Sequence, residues 1–106
     1  MKVLILGLGL IGASLAKTLK KNTAHRVLGW NRTPSVAQRA LADGAIDATG
    51  TLEELLPQAD ITIINFYPEA IVPFILEHKD LFKKDSVVTD LSLIHISEPT
   101  RRRGIS

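Results

Sequence analysis

The chain predicts an α/β domain built on a doubly wound parallel sheet, and three observations carry that prediction. An apolar run from Val3 to Leu6 leads through three glycines directly into helix-forming sequence. Short β-branched runs then alternate with helical periods along the chain. The composition, 45% hydrophobic over 106 residues with a mean hydropathy of +0.16, suits one domain with a sheet buried on both faces.

The elements follow in order. Lys2 to Leu6 is the first strand, Gly7-Leu8-Gly9-Leu10-Ile11-Gly12 the turn, and Ala13 to Lys20 the body of a helix that begins near Leu10. Lys21-Asn22-Thr23 breaks its period, and His25 to Trp30 reads as the second strand. A second helix starts at Thr33-Pro34 or Ser35, where a proline is tolerated, with Val36, Ala37, Ala40 and Leu41 on one face. Asp43-Gly44 ends it, and Ala45-Ile46-Asp47 is expected to be a short extended segment. Thr51-Leu52-Glu53-Glu54 has the form of a capping box opening a short helix to Leu56. Ile61 to Asn65 is β-branched and of strand length, Glu69 to His78 is helical, and Ser86 to Asp90 is the last strand. Strands alternating with helices imply right-handed crossovers.

The glycines each have a physical task. Gly7 allows a tight turn, Gly9 lets the backbone approach a pyrophosphate, and Gly12 lets the helix pack closely on the strand. The helix start at Leu10, Ile11 and Gly12 offers unpaired N–H groups and the positive end of a dipole to the phosphates. The expectation is a dinucleotide site on a Rossmann-type sheet. Enzymes that take NAD place an acid at the end of the second strand to bind the ribose 2′-OH. Here Trp30-Asn31-Arg32-Thr33 stands there instead. Arg32 can pair with a 2′-phosphate while Asn31 and Thr33 donate hydrogen bonds, which points to NADP as the preferred cofactor over NAD. The alternative is a surface arginine beside a helix cap.

Other classes are disfavoured. The charged start, apolar core and small residues Ser14-Leu15-Ala16 also resemble a secretory leader, but three glycines weaken a helical apolar segment. Cysteine is absent, so nothing supports a disulfide-stapled product, and no stretch is long and apolar enough to span a bilayer. The expectation is a soluble cytoplasmic protein with no membrane partner. The net charge of +2 comes from Arg101, Arg102 and Arg103; without them and Glu98, ten basic residues face ten acidic ones. The body is therefore neutral, and nucleic-acid binding has no support. His25 begins a strand and His78 ends a helix, so neither reads as a catalytic base. Asp90 and Ser92 close a strand at its carboxyl side, where ligands bind in such sheets.

Gly7-Leu8-Gly9-Leu10-Ile11-Gly12-Ala13-Ser14-Leu15-Ala16, with Phe66-Tyr67-Pro68-Glu69-Ala70 and Val88-Thr89-Asp90, resembles the cofactor domain of the prephenate/arogenate dehydrogenase family of tyrosine biosynthesis over about residues 1–92. The resemblance implies oxidative decarboxylation of prephenate or arogenate with hydride transfer to a nicotinamide. It also implies a pyrophosphate held by Gly7 to Gly12, and a cofactor cleft lined by Phe66 and Tyr67. For Tyr67, a plain aromatic rim position is the equal alternative. Asn31-Arg32-Thr33 is also similar to NADP-using β-hydroxyacid dehydrogenases, and a non-catalytic NAD(P)-binding module is the reading from a different class. Family members continue into a helical domain with the catalytic histidine, the substrate arginine and the homodimer interface, so no catalytic residue is expected in this stretch. After Asp90 the pattern departs. Residues 93–106, including His95, resemble the ending that translated sequencing-adaptor DNA leaves on a chain, so a foreign or disordered tail is expected there; the alternative is a genuine basic terminus.

Overall fold

The computed structural model describes residues 1–90, apart from the side chain of Leu10. The expectations for Ser92, His95 and the tail 93–106 lie outside the described residues. Strand β1 (Lys2–Leu6) is followed by α1 (Leu10–Asn22), β2 (Arg26–Trp30), α2 (Pro34–Ala42) and the two-residue β3 (Ala48–Thr49). A short α3 (Leu52–Leu55) runs into a 3₁₀ turn (Leu56–Gln58), then β4 (Ile61–Ile64), α4 (Pro68–His78) and β5 (Val87–Asp90) complete the series. All strand pairs are parallel and the sheet order is β3-β2-β1-β4-β5. The chain winds outward from β1 to β3, then returns past β1 to lay down β4 and β5. The reversal leaves a crevice between the carboxyl ends of β1 and β4, the topological switch point of a Rossmann-type sheet.

Alternation along β1 divides the core in two. Leu4 and Leu6, with Leu28 and Ile64, face Leu55, Leu56, Ala59 and Ile71 from α3, the 3₁₀ turn and α4. Ile5 and Val27 face the other way, against Ala16 of α1 and Ala37 and Ala40 of α2, with Ala45 and Ile46 completing that layer. The second layer is rich in alanine, which lets α1 and α2 lie close to the sheet. Each fully buried leucine or isoleucine contributes roughly 1.5–3 kcal/mol, so the three fully buried residues of β1 make it the anchor of the domain. Among the described residues Thr62 is the polar exception, fully buried on the leucine-rich face with no partner for its hydroxyl.

Three expectations are corrected. The third strand forms at Ala48–Thr49, not at 45–47. Ala45 and Ile46 instead drop into the core at 1% exposure, and the Asp47 N–H and carboxylate bond to the carbonyl and N–H of Val27. Leu41 is 37% exposed, because the buried stripe of α2 centres on Ala37 and Ala40. Strands β2 and β5 each begin one residue later than read and β4 ends at Ile64, leaving Asn65 in the loop. The capping box is present in both halves, with Thr51 and Glu54 each bonding the other's backbone N–H.

Candidate functional site: the glycine turn and its cleft

The turn after β1 is shaped by contacts that exclude side chains at two of its three glycines. Gly7 adopts φ +93°, and a Cβ there would stand 2.6 Å from the Asn65 carbonyl oxygen. A Cβ on Gly12 would lie 2.2 Å from the Gly7 carbonyl oxygen, so α1 can cross the turn only with glycine at that point. Gly9 differs: among the described residues, its chain neighbours aside, nothing lies within 4 Å of where its Cβ would be. The space beside Gly9 opens onto the cleft. It is the kind of space a phosphate group needs for close approach.

Neighbouring strands hold the turn. Gly7 N–H donates to the Trp30 carbonyl at 2.7 Å, and Leu8 N–H donates to Asn31 Oδ1 at 2.8 Å. From the other side, Asn65 N–H donates to the Leu6 carbonyl at 2.8 Å and Asn65 Nδ2 to the Gly7 carbonyl at 3.2 Å. Helix α1 then begins with Gly9 as N-cap, no side-chain cap and no acid in its first turn. Its first N–H groups and dipole are therefore available to an anion.

A cleft of about 520 Å³ lies over this turn, lined by Gly7, Gly9, Asn31, Arg32, Asn65, Phe66, Tyr67, Pro68, Glu69 and Ala70. That volume is in the range of small-molecule sites. Phe66 forms a fixed wall, edge-on to Trp30 at 6.3 Å and to Phe74 at 5.2 Å between ring centres. Tyr67 is 78% exposed and stands on the rim. A second hollow of about 450 Å³, between α2 and the β3–α3 loop, lies on the other side of Asn31 and does not reach the glycine turn.

The structure thus brings Gly7, Gly9, Asn31, Arg32, Phe66 and Tyr67 together around one cleft. Leu10 and Ile11 start α1 beside it, with Ile11 51% exposed. Thr33 is the N-cap of α2, without a side-chain capping bond. The Asn31 amide braces the turn: its Oδ1 accepts from Leu8 N–H and its Nδ2 donates to the Thr33 carbonyl at 3.3 Å. Asn65 is the residue that sequence reading missed. An amide closing an otherwise β-branched strand is the one signal that could have found it. His78 stacks on Phe74 and bonds the Phe74 carbonyl, away from the cleft. Among the described residues no cluster of acids and histidines could hold a metal, and no helix is long and apolar enough to cross a membrane.

A family model described as the NAD binding domain of 6-phosphogluconate dehydrogenase matches residues 2–104. The chain belongs to this family of NAD-binding domains. Among solved structures the domain is similar to arogenate dehydrogenase of Synechocystis, at 32% identity and a TM-score of 0.80, over 93% of this chain and 36% of that one. It is similar in fold to prephenate dehydrogenase of A. aeolicus in complex with hydroxyphenyl propionate and NAD+, at 24% identity and a TM-score of 0.75, over 85% of this chain and 32% of that one. A glutamyl-tRNA reductase of Streptococcus sanguinis is 31% identical over 101 residues, which are 93% of this chain and 23% of that protein. The NAD-binding domain therefore spans about a third of the solved relatives and about a quarter of the reductase. Its glycine turn, bare helix start and cleft suit the pyrophosphate of such a cofactor, and the open space at Gly9 is the feature that fits it.

Proposed function

We propose that the chain is the cofactor-binding part of an NADP-preferring dehydrogenase that oxidatively decarboxylates prephenate or arogenate. The observation that carries this reading is the space at Gly9, which no described side chain enters, placed where the uncapped start of α1 meets the crevice of the sheet. The likeness to arogenate dehydrogenase supports the substrate class. The dinucleotide pyrophosphate would lie against Gly7, Gly9 and the N–H groups at Ile11 and Gly12, with Phe66 and Tyr67 along its flank. Nicotinamide, when bound, supplies the hydride acceptor; the domain binds and orients it, and residues elsewhere in the intact enzyme, a cytoplasmic homodimer in this reading, supply substrate contacts.

Preference for NADP rests on Arg32, which lines the cleft at the end of β2 where an NAD enzyme carries an acid. A charge-assisted bond to a 2′-phosphate is worth roughly 1.5–3 kcal/mol, about tenfold to a hundredfold in affinity. Titration of the purified chain with NADPH and NADH, followed by nicotinamide fluorescence, should show tighter binding of NADPH. Arg32→Ala should remove that difference. Equal affinities, unchanged by the substitution, would sink the NADP assignment, and no binding of either by a folded sample would sink the nucleotide reading. Asn31-Arg32-Thr33 also supports a β-hydroxyacid-type dehydrogenase as a second reading. Extending the chain into its helical domain and assaying arogenate, prephenate and a β-hydroxyacid separates the two.

A further inference from the structure

We propose that Asn65 is a positioning residue for the nucleotide, its side-chain amide holding the Gly7–Leu8 peptide in the orientation that admits a pyrophosphate. This rests on the nucleotide reading of the cleft. The Gly7 carbonyl and the Leu8 N–H belong to one peptide unit, and in a trans peptide they point in opposite directions. Strands β4 and β2 lie on opposite sides of β1. Asn65, just past β4, donates to the carbonyl at 3.2 Å; Asn31, just past β2, accepts the N–H at 2.8 Å. One peptide is thus held from both sides by two asparagines.

The hold matters because Gly7 sits in the left-handed region at φ +93°, where glycine has the freedom to rotate its following peptide. Rotation would swing the Gly7 carbonyl away from Asn65 and turn it toward other space, the cleft included. An oxygen facing a pyrophosphate repels it. The same carbonyl is the atom that a Cβ on Gly12 would strike at 2.2 Å, and Asn65 Nδ2 stands 3.2 Å from that position. Asn65, the Gly7 carbonyl and the first turn of α1 therefore meet at one point. Fixing that point fixes the N–H groups offered to the phosphates.

The chemistry requires an amide. A donor is needed toward the carbonyl, and a carboxylate would repel both the carbonyl and the ligand. Asn65→Asp keeps the shape, loses the donor when ionised and regains one when protonated. The test is calorimetric titration with 2′-phospho-ADP-ribose, which carries the pyrophosphate and the 2′-phosphate without the nicotinamide, across a pH series with the wild-type chain in parallel. Asn65→Ala should bind about tenfold more weakly at every pH, the effect of one lost hydrogen bond. Asn65→Asp should bind more weakly still at neutral pH and recover relative to wild type as the pH falls through the carboxyl range. Charge repulsion alone would also give that recovery, so the role requires the loss in the uncharged Asn65→Ala as well, measured on a sample whose thermal midpoint shows it folded. Wild-type affinity in Asn65→Ala, or an Asn65→Asp defect that does not change with pH, overturns the proposal. Failure of the wild-type chain itself to bind 2′-phospho-ADP-ribose overturns the nucleotide reading, and this role with it. If the variants do not fold, ¹⁵N relaxation dispersion of the Leu8 amide in the wild-type chain decides: a flat profile is expected, and exchange from a rotating peptide overturns the proposal.

Discussion

The two ends of the sheet solve the same problem with opposite chemistry. A parallel sheet leaves N–H groups free at the amino ends of its strands and carbonyls free at the carboxyl ends. At the amino end, Asp60 accepts from Lys2 N–H at 2.8 Å and Asp47 from Val27 N–H at 2.8 Å, each with a lysine beside it, Lys83 and Lys20. At the carboxyl end, Asn31 and Asn65 perform the bracing with neutral amides. The difference follows from what each end faces. Carboxylates are good acceptors where no anion is to be bound, whereas the glycine turn, whose helix start is open to an anion, is held by two neutral amides.

The carboxyl end is most sensitive at Gly12. Gly12→Ala places a methyl 2.2 Å from a backbone oxygen and should cost about 3 kcal/mol or more, read as a fall in thermal midpoint by circular dichroism. Gly9→Ala should leave that midpoint within a few degrees, since its extended backbone accepts alanine and nothing lies within 4 Å, yet weaken nucleotide binding about tenfold. An equal loss of stability in both variants would mean that Gly9 serves the fold and not a ligand.

The amino end is the acid-sensitive one. The Asp60 carboxyl is held below its ordinary value first by the Lys2 N–H and then by Lys83, and Asp47 first by the Val27 N–H and then by Lys20. A carboxyl whose folded pKa is depressed stabilises the fold above its unfolded value, ~4, and loses that contribution as the pH falls through the folded value. The thermal midpoint should therefore drop below about pH 4. The Asp47→Asn, Asp60→Asn double variant should be less stable than wild type near neutrality and approach it in acid. Parallel pH curves for the two proteins would remove the carboxylates from this role. The smallest expected effect lies between the ends. Thr62→Val removes a buried hydroxyl that has no partner and should raise stability by about 1 kcal/mol, while any destabilisation would reveal a bonded, water-linked group.

Legibility in the sequence followed the range of the interactions. The β1–turn–α1 unit and the capping box at Thr51 are local, and their residues announce them within a few positions. The third strand is hard to place from sequence because it pairs through only two residues, while Ala45 and Ile46 are drawn into the core by partners distant in sequence. Asn65 carries no local signal of its bond to Gly7, 58 residues away. Asn31 reads in the sequence as a donor to a ligand, while the bond its Oδ1 accepts from Leu8 N–H, 23 residues away, is silent there. Periodicity and spacing report elements; they do not report which atoms of two elements meet at a strand end.

The rings that back the cleft have an optical consequence. Trp30 is the chain's single tryptophan, its carbonyl takes the Gly7 N–H, and its ring is edge-on to Phe66 in the cleft wall. Indole emission from this domain therefore originates beside the glycine turn, and reduced nicotinamide entering the cleft lies within range to quench it by energy transfer. The protein needs no attached dye: its own ultraviolet emission is a gauge of whether the crevice is filled.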